Sequence, residues 1–302
     1  MYAAIDLGTN TFHMIIVDIH NGHPEVVYRK RHFVKLAYRS FDRIEDDAMD
    51  RGVEAMLDFK NAIDKFNITK YRAYATSIFR VATNGKQYVE VLKEKSGLDI
   101  DIISGKEEAK LIFYGAKMAG TLNEGYNLIV DIGGGSVEFI LCDGEKMIFE
   151  NSYQIGILKL FHKFEKGIAQ DKNSLLEIEK YLESTTKDLQ SIISDYRISS
   201  IVGTAGSFDV LRYSMKYMNK GKLFDISPKD FSEIFDSVAY TSIEERREIP
   251  WIPKERKKLI VYAFAIIDFA LKLSKAEVLR ITSYSMKEGM IWEMINEEIL
   301  NR

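Results

Sequence analysis

Apolar residues along this chain recur at a period of two in some stretches and at helical spacing in others, and the switches mark its elements. Residues 2–18 read as two strands joined at a glycine turn, and 25–34, loosely alternating and rich in β-branched and aromatic side chains, as a third strand. In 44–66 the apolar positions Met49, Val53, Met56, Leu57 and Ile63 fall on one helical face. Short strands are predicted at 71–76 and 100–103, then a helix to Met118 that opens on Ser104 and Glu107, an S-x-x-E capping box. The polar, glycine-containing stretch 119–127 separates two predicted domains, 1–120 and 121–302. Beyond it, 128–141 reads as strand, tight turn and strand, 146–151 as a strand and 156–164 as a short helix. One long helix is expected over 174–193, capped by Ser174 and Glu177. A buried strand at 199–203 runs into Gly203-Thr204-Ala205-Gly206-Ser207 and a helix from Phe208. A helix from Pro253, a strand at 276–282 and a helix from Met286 complete an α/β pattern with mixed sheets.

The hairpin at 128–141 has an echo at the start of the chain. Laid over residues 2–18 without a gap, Asp131 falls on Asp6, Gly133 on Gly8, Ser136 on Thr11 and Asp143 on Asp18, an offset of 131 − 6 = 125 residues. Glycines at such a turn can adopt positive φ and let a ligand approach bare N–H groups, and the hydroxyls add donors. One copy alone reads better as a plain hairpin with an Asp before its turn. Two copies in register point to related domains facing each other across a phosphate-holding cleft, with carboxylates available to a metal.

Composition narrows the class. The 302 residues suffice for two domains, and 46% hydrophobic with 29% charged residues is a soluble, globular balance. A net charge of −3 argues against non-specific nucleic-acid binding, so any polyanion must be held by a local patch. The single cysteine, Cys142, has no internal disulfide partner and reads as a core residue, which suits a cytoplasmic setting. No basic segment followed by a long apolar core opens the chain, and the most apolar stretch, 259–271, is short and contains Asp268; no membrane association is expected.

Several candidates for chemistry carry a bland alternative. Arg80 follows a strand end, where open α/β sheets place ligand groups, yet a surface arginine fits as well. Glu107 is occupied by the cap, which leaves Glu108 for chemistry or as a first-turn glutamate favoured by the helix dipole. The glycine-rich strand-to-helix turn at 203–207 offers N–H groups to an anion, or tight packing. The cluster Arg29-Lys30-Arg31 reads as a solvated edge more than a binding site, and Glu255–Lys258 as a basic face for a polyanion or as a solvated helix end, the commoner case.

Taken together, AIDLGTNTFHMIIVD, ATSIFR, IISGKEEAKLIFYGA, LIVDIGGGSVEFI, VGTAGS and SYSMKEGM resemble, in order and over nearly the whole chain, the exopolyphosphatase/guanosine pentaphosphate phosphohydrolase family. The resemblance implies two duplicated ribonuclease-H-like domains of the actin-like ATPase superfamily, in a short two-domain form, closing on an interdomain cleft. It implies Glu108 as the catalytic glutamate that activates water and Arg80 as a phosphate contact. Asp131 and Glu138 would hold Mg²⁺. Gly133, Gly134, Gly135 and Ser136 would form one phosphate loop, Asp6, Gly8, Asn10 and Thr11 the other, and Gly203, Thr204 and Gly206 a third. The substrate would be inorganic polyphosphate or guanosine pentaphosphate, with homodimerisation left open. A base at a helix N-terminus should be weak, so positioning is expected to outweigh proton affinity. The chain departs from the pattern at Lys35–Ser40, where a glycine-rich loop is usual, at Lys159 and Lys287, where arginine is common and lysine lacks its bidentate fork, and at Ser207, where threonine is usual. A small-molecule kinase of the same superfamily and a non-catalytic polyphosphate or (p)ppGpp binder are the competing readings.

Overall fold

The computed structural model describes residues 1–20, 23–165, 170–219 and 224–300. Its eleven strands among the described residues form two sheets. The first holds β1 (Tyr2–Leu7), β2 (Phe12–His20), β3 (His23–His32), β4 (Tyr71–Ala75) and β5 (Asp101–Ile102) in the order β3-β2-β1-β4-β5. The second holds β6 (Tyr126–Ile132), β7 (Val137–Cys142), β8 (Met147–Tyr153), β9 (Ile198–Thr204), β10 (Asp225–Ile226) and β11 (Val278–Ile281) in the order β10-β11-β9-β6-β7-β8. In each sheet a meander of three antiparallel strands is extended on the side of its first strand by parallel pairing. The repeated ribonuclease-H-like topology is therefore physical as well as sequential. β6 and β7 are buried along almost their whole length, as their near-continuous apolar runs require, whereas edge strand β3 alternates between exposed and half-buried positions.

Two helices are exchanged between the halves. Gly105–Met118, which follows the first sheet in sequence, packs on β6, β7 and β8, while Met286–Leu300, which follows the second, packs on β1 and β2. The pair lies between the two sheets, where Ala109, Ile112, Phe113 and Ala116 of one helix and Met286, Met290 and Ile291 of the other share a core with Ala4 and Ile15 below and Ile129 and Ile140 above. Full burial of Ile291 contributes about 1.5–3 kcal/mol. The helices touch backbone to backbone: a Cβ on Gly289 would fall 1.8 Å from the Leu111 carbonyl oxygen, and one on Gly115 2.1 Å from that of Ser285. Only glycine permits this approach.

Helix ends account for the main differences from the sequence reading. The 44–66 helix forms as Asp46–Lys65, but Leu57, expected on its apolar face, is exposed on the outer side, and Ala55 and Phe59 are buried instead. The expected 174–193 helix is two, Lys172–Thr185 and Lys187–Ile193, broken where Thr186 leaves helical geometry and turns its hydroxyl onto the Leu182 carbonyl at 2.8 Å. Its cap is Asp171, whose carboxylate accepts from the Ser174 N–H at 2.7 Å, so Ser174 does not cap. Pro253 does not open a helix; the chain winds through turns to Leu259, and the helix is Ile260–Ser274. The helix Gly85–Ser96 and its partner Ser77–Val81 were not resolved by periodicity.

Candidate active site

The two glycine turns close in the same way: Gly8 N–H donates to the Thr11 carbonyl at 3.1 Å, and Gly133 N–H to the Ser136 carbonyl at 3.0 Å. They face each other directly. A Cβ on Gly135 would sit 3.0 Å from Thr9 Oγ1 and 2.6 Å from Ser77 Oγ, and one on Gly134 3.3 Å from Thr9 Cβ. A cavity of about 440 Å³ lies along this contact, lined by both turns. Gly133, Gly134 and Gly135 do not take positive φ, so the triple glycine serves close approach rather than left-handed backbone. Their carbonyls accept from Ile157 at 3.1 Å, Leu158 at 2.9 Å and Gly156 at 3.1 Å, at the start of the helix Ile157–Phe164. Because carbonyl and following N–H point oppositely across a trans peptide, the N–H groups of Gly134, Gly135 and Ser136 turn away from that helix. That leaves a nest of N–H groups on the cleft side, able to meet an anion.

The acids are held by hydroxyls and by one arginine. Asp131 Oδ2 accepts from Thr204 Oγ1 and Ser285 Oγ, both at 2.6 Å, and Glu138 Oε1 accepts from Ser152 Oγ at 2.6 Å. Ser285 begins Met286–Leu300, where its N–H donates to Glu288 at 2.9 Å, while its hydroxyl is turned to Asp131 instead of a cap. Glu108 Oε2 accepts from Arg80 Nη1 at 2.9 Å, and that nitrogen also donates to the Ile103 carbonyl at 2.9 Å. Glu107 and Ser104 complete the expected capping box, which leaves Glu108 to the cleft.

Burial dominates the electrostatics. It pushes the Glu138 and Asp6 carboxyls up to about 7, reinforced at each by Asp131 and at Asp6 opposed by Lys287. Burial, then Glu138, holds Glu108 well above the usual carboxylate range despite Arg80. The expectation of a weak base is revised: desolvation and a like charge outweigh the helix dipole. For Lys287, burial opposes the charge but Glu288, Asp6 and Asp131 raise it. An acid whose folded pKa lies near 7 keeps its proton where the unfolded chain, near 4.5, has lost it. Its stabilising contribution is thus complete below the unfolded value and lost as pH rises through the folded one. Stability of the ligand-free protein is expected to fall between about pH 5 and pH 8. Urea denaturation across that range should show the decline, flattened in Glu138→Gln; an identical slope in that variant would contradict the assignment.

Of the residues singled out in sequence, Asp6, Gly8, Asn10, Thr11, Glu108, Asp131, Gly133, Gly134, Gly135, Ser136, Glu138 and Gly206 line the cleft, and Arg80 stands behind Glu108. Gly203 and Thr204 lie away from it. Gly203 is covered by Phe208, where a Cβ would fall 2.1 Å from the ring, and its carbonyl accepts from Thr282 at 3.0 Å, so its backbone is engaged in the sheet. Thr204 acts through Asp131. Gly206 reaches the wall because Ala205 takes φ 67 and ψ 174, a conformation that strains any residue with a Cβ. The basic cluster Arg29-Lys30-Arg31 is on an edge strand as expected, yet it also lines the cleft, joined there by Arg212 and Arg256. Arg256, in the stretch read as a basic face able to meet a polyanion, lines the cleft; sequence reasoning missed Thr9, Ser77, His13 and Ser285, and of these His13 carried a signal, lying 125 residues before Glu138. Ser77 Oγ and Arg80 Nη2 are buried without a hydrogen-bond partner among the described residues, a cost that an incoming oxyanion would remove.

The chain matches known proteins over nearly its whole length. The model of the Ppx/GppA phosphatase family matches residues 15–298. The guanosine-5'-triphosphate,3'-diphosphate pyrophosphatase of Aliivibrio fischeri (strain MJ11) is 25% identical over 299 residues, 98% of this chain and 60% of that protein, so the chain spans less than two thirds of this relative's length. Among solved structures, an exopolyphosphatase from Cytophaga hutchinsonii is 28% identical and superposes with a TM-score of 0.91, covering 98% of both chains. The Aquifex aeolicus member of the Ppx/GppA family, 22% identical with 98% of both chains covered and a TM-score of 0.83, shares the fold.

Proposed function

The chain belongs to the Ppx/GppA phosphatase family, and on that premise we propose that it is an exopolyphosphatase, releasing terminal phosphate from inorganic polyphosphate. The observation that carries this reading is the charge layout of one cleft. A buried glutamate, Glu108, stands beside Glu138, and the cations Arg31 and Arg256, whose charges reach His13, line the same cleft. Hydrolysis of a phosphoanhydride needs a base on the water and positive charge on the transferred group and its leaving chain. Glu108 takes the proton of the attacking water. The nest at Gly134–Ser136 and the Ser77 hydroxyl hold the equatorial oxygens, donors whose effect grows as charge develops on them.

The acids fit Mg²⁺. Asp131 and Glu138 are hard oxygen donors; Asp131 accepts both hydroxyl bonds on Oδ2 and keeps Oδ1, and Glu138 is steadied by the Ser152 and Ser136 hydroxyls. Among the described residues no group of three or more His, Cys, Asp or Glu side chains forms a self-sufficient nest, so water and phosphate oxygens would complete the shell. Bound there, the ion would neutralise charge on the transferred phosphoryl group.

Guanosine pentaphosphate is the second reading, favoured by the name of the Aliivibrio fischeri relative. Phosphate release measured side by side on inorganic polyphosphate and guanosine pentaphosphate, with and without a magnesium chelator, tests the proposal. Faster release from polyphosphate, abolished by chelation, is expected. Preference for the nucleotide would replace the substrate, and binding of polyphosphate without turnover would replace the enzyme by a binding protein.

A further inference from the structure

The cleft is built twice, and the copies differ in one chemical group. In the second half Asp131 stands opposite Glu138 across β6 and β7; in the first, Asp6 stands opposite His13 across β1 and β2. The sequence offset that carries Asp6 to Asp131 also carries His13 to Glu138, since 13 + 125 = 138. An imidazole thus occupies, on the facing hairpin, the place of a buried carboxylate.

The surroundings differ in the same sense. Glu138 is accompanied by Asp131 and Glu108, whereas the charges that reach His13 are Lys287, Arg31 and Arg256. Burial, then these cations, push the imidazole well below its usual range, so the ring is neutral, with one N–H to donate. The His13 ring makes no hydrogen bond to another described residue, and it lines the cavity. In-line displacement at phosphorus places the attacking water and the leaving oxygen on opposite sides of the transferred group. Glu108 and Glu138 suit the water, and Arg31 and Arg256 suit a polyanionic leaving group, while Asp6, opposite His13, and Lys287 offset each other.

We propose that His13 is the ligand of the leaving phosphate: its imidazole N–H donates to an oxygen of the phosphate next to the one being hydrolysed, and directs the rest of the chain towards Arg31 and Arg256. The inference rests on the phosphoanhydride hydrolase reading above. As the water oxygen bonds to phosphorus and Glu108 takes its proton, the bridging P–O bond breaks and its electron pair stays on the leaving phosphate. His13 meets that charge by its hydrogen bond and gives up no proton.

Inorganic tripolyphosphate, whose products are orthophosphate and the leaving pyrophosphate, separates the two sides of the site. In His13→Ala, kcat/KM for tripolyphosphate is expected to fall by about 10–100-fold, the worth of one hydrogen bond to a charged group. Inhibition by pyrophosphate should weaken by about tenfold, while inhibition by orthophosphate, which needs only the transferred-group subsite, should not change. His13→Gln keeps an N–H donor and should restore most of the loss; His13→Glu, which copies the second half, should be the worst. Equal weakening by both inhibitors, or unchanged kinetics in a folded His13→Ala protein, would overturn the proposal. If the wild type does not cleave tripolyphosphate, calorimetry with pyrophosphate decides independently. Binding that depends on His13 would sustain the imidazole's role and leave the hydrolase reading to the assay on polyphosphate and guanosine pentaphosphate, and binding indifferent to His13 would overturn the proposal.

Discussion

Replacing Glu108 with glutamine is expected to lower turnover by at least ~100-fold, the scale of a lost general base, while the protein folds and binds phosphate as before. The fold should be unaffected because the helix cap is made by Glu107 and Ser104, one residue away, and glutamine keeps the volume and an oxygen for Arg80 Nη1. The loss should be large because Glu108 is 9% exposed and its carboxyl is raised by burial and by Glu138, which makes it a better proton acceptor than an ordinary glutamate. Steady-state phosphate release gives the turnover, and calorimetric titration with pyrophosphate gives binding. Near-normal turnover would remove Glu108 from the mechanism.

The second large effect should come from Gly135→Val. A Cβ at this position would meet Ser77 Oγ at 2.6 Å and both Phe41 Cε1 and Thr9 Oγ1 at 3.0 Å, all three from the facing half of the cleft. The clash cannot be absorbed within one hairpin and must drive the two turns apart. Overpacking of this kind costs about 1–3 kcal/mol of stability. Turnover should fall by ~100-fold or more, because a misplacement of about 1 Å of catalytic groups costs that much. Gly134→Ala, whose Cβ would meet Thr9 only at 3.3 Å, should be milder. Leu57→Ala, at an exposed position on the outer face of Asp46–Lys65, should have no effect on turnover. Turnover and solution scattering check both parts: full activity in Gly135→Val, or an unchanged radius of gyration with activity lost, would mean that the turns do not work as one site.

Most of the site was legible because a hairpin fixes side-chain direction at a period of two, so register alone carried Asp6 onto Asp131 and Thr11 onto Ser136. The same register contained His13 opposite Asp6, but a lone histidine gives no hint of which cations will surround it. Arg31 and Arg256 meet only in the folded molecule, one on an edge strand and the other in turns where periodicity suggested a helix. Ser285 could not be recognised either, because S-x-x-E reads as a cap, and only the approach of β6 diverts its hydroxyl to Asp131. At Lys172–Thr185 a stronger competitor one turn earlier, Asp171, took the role that pattern matching gave to Ser174.

The exchange of helices between the halves also sets an order of events during synthesis. The face of the first sheet that carries Tyr2, Ala4, Ile15 and Val17 is covered by Met290, Ile291 and Met294. Those residues leave the ribosome more than 250 residues after the strands they cover. The amino-terminal half therefore cannot complete its core while the rest is being translated, and it must wait with an apolar sheet face open. The glycine crossing, in which Gly115 meets Ser285 and Gly289 meets Leu111, forms only after that wait. The cleft, which depends on Ser285 and Lys287 from the same late segment, thus comes into being together with the last piece of the interior, and no partly made chain carries a working site.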